Sequence, residues 1–398
     1  MPNHPIMSLK LPDPLIHLQL PLLFANNILA LAIGPNHQVL RLGITLPILC
    51  LLASQSLYRE WTGEWGMHYA LECLMLACIW TYIDWNILNS PDKEQWRRIR
   101  SQDEISKLDT VPQGFWTRMW WGVRLATGNR YLGWTCQVKN VRVEVDEGYS
   151  RWLFIVRKSI RFVIFFVLTD VLYSYTAATP YGSWSDIAHF KPARSFSSEP
   201  CLVRVWFAWV QIVLTYVSME HANAAYGVVS VATGLASPKD CPSLFGDLKG
   251  LWSVRKAWSS VWHQQMRRIC SAPGIFLARD VLDLKKGSFA SKYLQLFTGF
   301  AISGTIHAGA SMLVHRSLDD DAAFATFIGQ AVIIMTEDHA IALGKKMGLR
   351  DSVLWRFVGF AWTVLAIGAS TERWTGKVVG HGMWVHDRKP DYFGIGPK

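Results

Sequence analysis

Charged side chains are scarce in this sequence. Asp, Glu, Lys and Arg make up 18% of its 398 residues, whereas soluble domains usually carry about a quarter. Hydrophobic residues reach 51%, with 20 Trp, and they are collected in long blocks rather than spread over short amphipathic periods. Low charge combined with long apolar blocks is typical of a protein whose solvent is a lipid bilayer.

Sequence motifs of several functional classes are also missing. The seven cysteines form no CxxC pair, which argues against a disulfide framework or a zinc site, and we predict no metal ion and no bound cofactor. HExxH, GxSxG, GxxxxGK[ST] and strand-linked GxGxxG motifs do not occur, so metalloprotease, hydrolase and nucleotidase functions lose support. The net charge of +10 is not accompanied by an aromatic-interleaved basic stripe, and a nucleic-acid partner is therefore not predicted.

Eight apolar blocks approach the roughly 20 residues that a membrane helix needs. They lie near residues 15–33, 39–57, 67–88, 153–176, 202–230, 289–313, 322–342 and 353–370. The first block lacks the charged flank and the cleavage site of a signal peptide, so we predict that it is retained. The sequence therefore predicts an all-α fold, a polytopic membrane bundle with about eight transmembrane helices in one membrane-embedded domain over residues 1–398.

Two long basic segments, residues 89–150 and 231–288, interrupt the apolar blocks. Two blocks lie between these segments, so both should face the same side of the membrane. The excess of Lys and Arg makes that side the cytosol. The acidic loop at 319–321 is then predicted on the opposite side. The same alternation would put the basic tail after residue 370 there too, against the positive-inside rule, so either the number of spans differs or the tail is an exception.

Histidines within or beside apolar blocks are the first candidates for chemistry. His307 lies inside an apolar block, where an ionisable group usually faces a cavity or a polar partner. A neutral structural histidine, hydrogen-bonded to a neighbouring helix, is the alternative. His263 follows Trp262, and packing against that indole is its simplest interpretation. The run at 337–339 (Glu-Asp-His) could bind a metal or mark the membrane boundary.

Four segments occur in an order that resembles the wax-synthase-like branch of the membrane-bound O-acyltransferases. Residues 130–140 resemble that family's RGxGW…VKN stretch, with Tyr131 in place of the usual glycine. Residues 243–264 resemble its PxFG…SVRxFW…WHQ region, and residues 300–307 resemble its FxxSGxxH segment. Glu337 falls where these proteins often carry an acidic residue. The motifs cover roughly residues 130–345, and their order is more specific than any one of them.

This resemblance implies an MBOAT-like fold and an acyl-CoA-dependent O-acyltransferase. Fungal members commonly transfer an acetyl group from acetyl-CoA to a hydroxyl of a terpenoid or meroterpenoid, so the implied substrates are acetyl-CoA or another acyl-CoA and a hydrophobic alcohol. The implied location is the endoplasmic reticulum membrane. A wax-ester-type long-chain alcohol acyltransferase is an alternative, and the residues alone also leave a membrane transporter open.

The resemblance also implies roles for particular side chains. His307 is the expected general base, since an imidazole can accept the proton of an alcohol at neutral pH. His263, with Trp262, is expected to position the thioester or to stabilise the oxyanion. The expected substrate and CoA contacts come from Ser303 and three cations, Arg255, Arg267 and Arg268. Those cations could instead mark orientation or bind anionic lipid.

Overall fold

The fold is built almost entirely of α-helices. The computed structural model describes residues 10–59, 64–88, 90–99, 111–185, 194–388 and 391–397. The helices are α1 (Asp13–His17), α2 (Gln19–Ile33), α3 (Gln38–Ser54), α4 (Trp65–Tyr82), α5 (Ser90–Lys93), α6 (Phe115–Ala126), α7 (Arg151–Ala178), α8 (Cys201–Ala232), α9 (Val254–Lys256), α10 (Arg267–Phe276), α11 (Phe289–His315), α12 (Ala323–Lys346) and α13 (Val353–Gly380). Two short strands, β1 (Ser183–Trp184) and β2 (Val385–His386), pair in parallel. The all-α prediction is therefore confirmed.

Each of the eight predicted spans coincides with one long helix: α2, α3, α4, α7, α8, α11, α12 and α13. Within the described ranges, four helical stretches are both long and apolar enough to cross a membrane: Pro35–Leu57, Cys201–Ala232, Phe289–His315 and Val353–Gly380. These stretches confirm an apolar helical bundle suited to a membrane. A total of eight crossings stays a prediction.

Serine caps begin three of the long helices. The hydroxyls of Ser150, Ser288 and Ser352 accept backbone N–H groups from the first turns of α7, α11 and α13. Such caps satisfy amide groups that have no partner inside the helix. Each of these three apolar blocks therefore starts with a local polar signal that fixes where its helix begins.

Helix α11 packs against α4, α10 and α12. Glycines allow this close approach. A Cβ atom at Gly304 would lie 3.1 Å from the Phe324 ring, and one at Gly309 would lie 2.9 Å from Leu76. Small residues of this kind let membrane helices pack backbone to backbone. The close packing places the middle of α11 between α4 and α12.

The connections between long helices gather at two ends of the bundle. One end joins the turns near residues 59 and 319 to the last turn of α13 and to the tail after it, through the pairs Arg316–Arg59, Lys377–Asp319 and Asp387–Glu64. The other end joins the two basic segments to the helix ends, through Arg268–Asp84, Arg255–Asp338 and Lys93–Asp280. Alternating crossings would produce this grouping. The assignment of the second end to the cytosol stays a prediction, and residues 89 and 100–110 of the first basic segment lie outside the described residues.

A short strap after α13 covers the ends of α7 and α8. Trp384 is fully buried, and its indole Nε1 donates to Gln211 Oε1 at 2.7 Å. His386 stacks on Tyr173, with 3.9 Å between ring centroids, and its Nε2 lies 2.8 Å from Thr176 Oγ1. Residues 384–386 therefore close this end of the bundle with aromatic packing and hydrogen bonds.

Candidate active site

His307 lies in the middle of α11 and points toward α4, α12 and α13. Its Nδ1 atom is 2.7 Å from the Tyr69 hydroxyl. One face of the imidazole stacks on Phe327, with centroids 4.6 Å apart and planes 3° apart, and Trp374 contacts it edge-on at 5.4 Å. His307 keeps some accessible surface. The side chain is thus fixed by aromatic neighbours without being fully sealed.

The two nitrogens of His307 have different surroundings. Nδ1 contacts Tyr69 and lies 3.6 Å from Cys73 Sγ, whereas Nε2 makes no hydrogen bond with any residue that the structure describes. If Nδ1 carries the proton and donates it to the Tyr69 oxygen, Nε2 presents a lone pair. In that tautomer Nε2 can accept a proton from a substrate.

Trp262 and His263 follow a π-helical turn at Ala257–Val261. Gln264 shapes the chain at this point: its side-chain amide donates to the carbonyl of Trp258 at 3.0 Å and also to that of Trp262. Its side-chain oxygen accepts from Arg267 at 2.6 Å. The Gln264 side chain therefore stabilises the turn at residues 262–264 and holds Trp262 and His263 in place.

The turn at residues 242–246 lies directly against that π-helical turn. Phe245 contacts Trp262 and His263, with centroids 5.0 Å and 5.8 Å apart. Gly246 donates its N–H to the Val261 carbonyl at 2.9 Å, and a Cβ atom there would lie 2.0 Å from the Ser260 carbonyl oxygen. Phe245 and Gly246 therefore pack closely against residues 260–263 and support the position of His263.

Two buried charged side chains hold the 242–246 turn in place. Arg130 donates to three successive carbonyls, those of residues 242, 243 and 244. The Glu220 carboxylate accepts the N–H groups of Leu244 and Phe245 at 2.8 Å and 3.1 Å. Segments that are far apart in the sequence, at 130, 220 and 242–246, thus form one unit.

Burial lowers the pKa values of two side chains at these turns, Arg130 and His263. It lowers the pKa of Arg130 to about 10, so the guanidinium stays positive at neutral pH. Burial, followed by the nearby charge of Arg130, lowers the pKa of His263 to about 4. A group with a lowered pKa loses its proton earlier as pH rises. His263 is therefore a neutral imidazole above about pH 5, beside a fixed positive charge.

The structure brings the two predicted histidines to one aromatic region, although they are 44 residues apart in the chain. A series of ring contacts connects them: Trp262 to Trp258 at 6.0 Å, Trp258 to Phe327 at 6.2 Å, and Phe327 to His307 at 4.6 Å. Trp262 and Ser303 belong to the same region, since Ser303 lies one helical turn before His307.

The three predicted phosphate-binding cations have different partners. Arg255 pairs with Asp338 at 2.6 Å, and Arg268 pairs with Asp84 at 3.0 Å and with Glu94 at 2.9 Å. Arg267 contacts only neutral groups among the described residues, namely the Ser259 carbonyl and the Gln264 side chain. Its charge is therefore the least neutralised of the three.

The acidic run at 337–339 has structural partners. Glu337 accepts the N–H groups of Val254 and Arg255, at 2.8 Å and 3.0 Å, and so begins α9. Asp338 accepts from Arg255, Lys292 and Tyr293. His339 is exposed, with Nδ1 2.7 Å from its own helix at the Met335 carbonyl. These contacts join α12 to the α9 segment.

The sequence reasoning missed four neighbours of His307: Tyr69, Cys73, Phe327 and Trp374. Each is a common residue of an apolar helix, and no local pattern separates it from the core. One surface groove has a volume of about 500 Å³ and is lined mainly by apolar residues, together with Lys249 and Arg356. None of the predicted site residues lines that groove.

The structure is thus an apolar helical bundle suited to a membrane, with two imidazoles in its aromatic interior. Comparison with known proteins identifies its family. Residues 241–329 match the Membrane bound O-acyl transferase family. Over 392 residues, covering 97% of each chain, the sequence is 49% identical to "Acetyltransferase sirH" of Leptosphaeria maculans. It is 28% identical to "Acetyltransferase ple2" of Rhodocybe pseudopiperita over 80% of each chain.

The chain belongs to the membrane bound O-acyl transferase family, and it is an acyltransferase. "Acetyltransferase eriL" of Hericium erinaceus is a further relative, 28% identical over 70% of this chain and 71% of its own. No solved structure matches the chain. The resemblance found in the sequence motifs is thus confirmed. The motif regions at 243–264 and 300–307 both lie in the matched residues.

Proposed function

We propose that the protein transfers an acetyl group from acetyl-CoA to a hydroxyl of a hydrophobic secondary metabolite such as a terpenoid or meroterpenoid. The observation that carries the proposal is His307, held at Nδ1 by Tyr69 and without a hydrogen bond at Nε2 among the described residues. The acetyl preference rests on relatives that are named acetyltransferases. The setting that fits is an eight-span protein of the endoplasmic reticulum.

His307 Nε2 acts as the general base in this proposal. The alcohol oxygen attacks the thioester carbonyl carbon while its proton passes to Nε2. The tetrahedral intermediate then collapses, the C–S bond breaks, and the departing CoA sulfur takes the proton. The products are the acetate ester and free CoA, and the imidazole returns to its neutral form. Proton transfer of this kind contributes about 10²–10⁴-fold to a rate.

The Trp262–His263 turn positions the thioester opposite His307. A neutral His263 can donate one N–H to the oxygen that becomes negative during attack. The Arg130 guanidinium behind that turn adds a fixed positive charge, which favours the oxyanion in a site of low dielectric. In this proposal Ser303, one helical turn before His307 on α11, binds the acceptor hydroxyl.

The two substrates reach the site by different routes. CoA is polyanionic and approaches from the end that carries the basic segments, where Arg267 supplies the least neutralised of the three predicted cations. Guanidinium groups bind phosphate through charge-assisted hydrogen bonds. The acceptor is apolar and enters laterally from the bilayer. The ester therefore forms inside the helical bundle.

The direct test uses the purified full-length protein in lipid vesicles with acetyl-CoA and a set of terpenoid alcohols. We expect release of free CoA that requires both substrates. Palmitoyl-CoA with a long-chain alcohol serves as the comparison reaction. Preferential use of that pair would replace the acetyltransferase proposal with wax-ester synthesis. Absence of CoA release with every acceptor would contradict acyl transfer from CoA.

Tyr69→Phe tests whether the hydroxyl orients His307. We expect kcat to fall about tenfold, since one neutral hydrogen bond contributes about 0.5–1.5 kcal/mol. KM for acetyl-CoA should stay the same, because Tyr69 contacts the imidazole and not the donor. An unchanged kcat would show that the aromatic contacts alone fix the ring.

Cys73→Ala is the matched control at the same nitrogen. Cys73 Sγ lies 3.6 Å from His307 Nδ1, so a covalent acyl-cysteine is a chemical alternative to direct transfer. In the proposed mechanism the thiol has no role, and Cys73→Ala should keep kcat within about threefold of the wild type. Abolished activity in this variant, with an intact elution profile, would favour the covalent route.

Arg267→Ala and Arg268→Ala separate CoA binding from structure. Arg267→Ala should raise KM for acetyl-CoA about 10- to 100-fold, because a hydrogen bond between charged groups contributes about 1.5–3 kcal/mol. Arg268→Ala should mainly lower the melting temperature, since it removes an ion-pair partner of the buried Asp84 carboxylate. Initial rates over a range of acetyl-CoA concentrations, together with thermal melts, measure both. The opposite assignment of effects would move the CoA site to Arg268.

A further inference from the structure

Three possible metal ligands converge at the end of the bundle that carries the 319–321 loop. One ligand atom from each of His315, Asp321 and His381 lies within 4.8 Å of the other two. His315 Nε2 is 2.7 Å from Asp321 Oδ2, and His381 Nδ1 is 3.0 Å from Asp321 Oδ1. The two imidazole centroids are 3.9 Å apart. The residues come from the end of α11, the α11–α12 loop and the residue after α13.

The Asp321 carboxylate is the unusual member of this cluster. Its side chain has 0% exposure, and burial of a carboxylate is costly unless a positive charge compensates it. No Lys or Arg within the described part of the chain pairs with it. Oδ1 contacts His381 but forms no hydrogen bond of suitable geometry with any described residue. The Asp321 carboxylate therefore points toward His315 and His381, and its Oδ1 atom has no hydrogen bond to a described residue.

The loop is built so that only one of its three aspartates turns inward. Asp320 accepts the N–H groups of Ala322 and Phe324 and so begins α12. Asp319 accepts the N–H of Asp321 and pairs with Lys377 at 2.9 Å. Asp321 itself has a φ of 57°, in the left-handed region that residues other than glycine rarely adopt. Its neighbours thus hold it in the conformation that aims its carboxylate at the histidines.

We propose that His315, Asp321 and His381 bind a divalent transition-metal ion such as Zn²⁺, with water in the fourth position. Two imidazoles and a carboxylate are ligands that zinc uses, at about 2.0–2.2 Å, and in a tetrahedral site such atoms are then about 3.3 Å apart. The observed contacts of 2.7 Å and 3.0 Å, made to the two different carboxylate oxygens, are shorter than that spacing, so the three side chains must move slightly apart to admit the ion. No metal site was predicted from the sequence, because the cysteines form no ligand pattern. The three proposed ligands come from separate parts of the chain, so no local motif indicates them.

The metal would tie the α11–α12 loop to the end of α13 close to the candidate active site. Trp65 stacks on His315 with centroids 5.3 Å apart and on Tyr69 with centroids 5.2 Å apart. Tyr69 is the residue that contacts His307 Nδ1. A fixed His315 therefore supports the aromatic stack beneath the hydrogen-bond partner of His307. The proposed role is structural, and no step of acyl transfer passes through the metal.

The test measures metal binding independently of acyl transfer. Full-length protein in detergent is stripped with EDTA, titrated with Zn²⁺ against a coloured chelator, and analysed for metal by mass spectrometry. We expect one Zn²⁺ per chain and a rise in melting temperature on Zn²⁺ addition, because a ligand of the folded state stabilises it. Asp321→Asn and His381→Gln should each weaken binding about 100-fold or more. His381 has a side chain that is 41% exposed, so its replacement tests the proposal even if Asp321→Asn fails to fold.

Asp319→Asn is the matched control. It removes one charge from the same loop and keeps an oxygen that can accept the N–H of Asp321. Its affinity for Zn²⁺ should stay within about threefold of the wild type. Wild-type protein that binds no stoichiometric Zn²⁺ would overturn the proposal and leave a histidine–carboxylate ion pair. Zn²⁺ binding that survives both Asp321→Asn and His381→Gln would overturn it as well.

Discussion

His307→Ala should lower kcat for acyl transfer by about 10²–10⁴-fold, the usual contribution of a general base. The variant loses the one nitrogen, Nε2, that we propose takes the proton from the alcohol. KM for acetyl-CoA should change little, because the donor is positioned by the Trp262–His263 turn on another segment. Release of CoA under saturating substrates measures kcat. Single-turnover experiments would confirm that the loss lies in the chemical step.

Two further measurements make this result specific to His307. His339→Ala changes an exposed histidine of α12 and should keep the wild-type kcat. The elution profile of His307→Ala should resemble that of the wild type, whereas its melting temperature should fall somewhat, because the ring loses its contacts with Phe327 and Trp374. Full activity in a folded His307→Ala protein would remove His307 from the mechanism.

Gly246→Ala should abolish most activity without touching a substrate. The added Cβ would lie 2.0 Å from the Ser260 carbonyl oxygen, so the 242–246 turn and the π-helical turn must separate. Overpacking of this kind usually costs about 1–3 kcal/mol. A shift of about 1 Å in a positioned reacting group can cost about 100-fold in rate. We therefore expect a lower melting temperature and about a 100-fold loss of kcat/KM.

Gly329→Ala provides the same chemical change without a clash. Gly329 lies inside α12, and nothing is within 4 Å of a Cβ atom placed there. Replacing a helical glycine with alanine usually stabilises a helix by about 0.5–1 kcal/mol, so this variant should be active and slightly more stable. Equal activity losses in both variants would point to a general sensitivity of the bundle rather than to the Gly246 contact.

The sequence predicted the helices well, because long apolar blocks between polar segments leave few alternatives. The block at 202–230 appears as one helix, Cys201–Ala232. The ends were harder to predict. The block at 67–88 is a helix from Trp65 to Tyr82 followed by a π-helical turn at Ile83–Ile87. Such a turn depends on contacts with other segments, and composition does not report it.

The candidate site was only partly predictable, for the same physical reason. His307 stood out because an imidazole is unusual in an apolar block. Tyr69 did not, because a tyrosine in an apolar helix is ordinary until its hydroxyl meets a partner 238 residues away. Arg268 was expected to attract phosphate, but its carboxylate partners lie 184 and 174 residues earlier. Partners of this kind are set by the tertiary fold.

The strap at residues 384–386 is synthesised late but packs against helices that are synthesised much earlier. Thr176 and His386 are 210 residues apart and meet at 2.8 Å. Helices α7 and α8 therefore leave the ribosome long before the aromatic cover over their ends exists. Distant pairings of this kind form late in folding. Assembly at this end is thus completed after the intervening helices are in place, when Trp384 packs against Phe196 and Phe207.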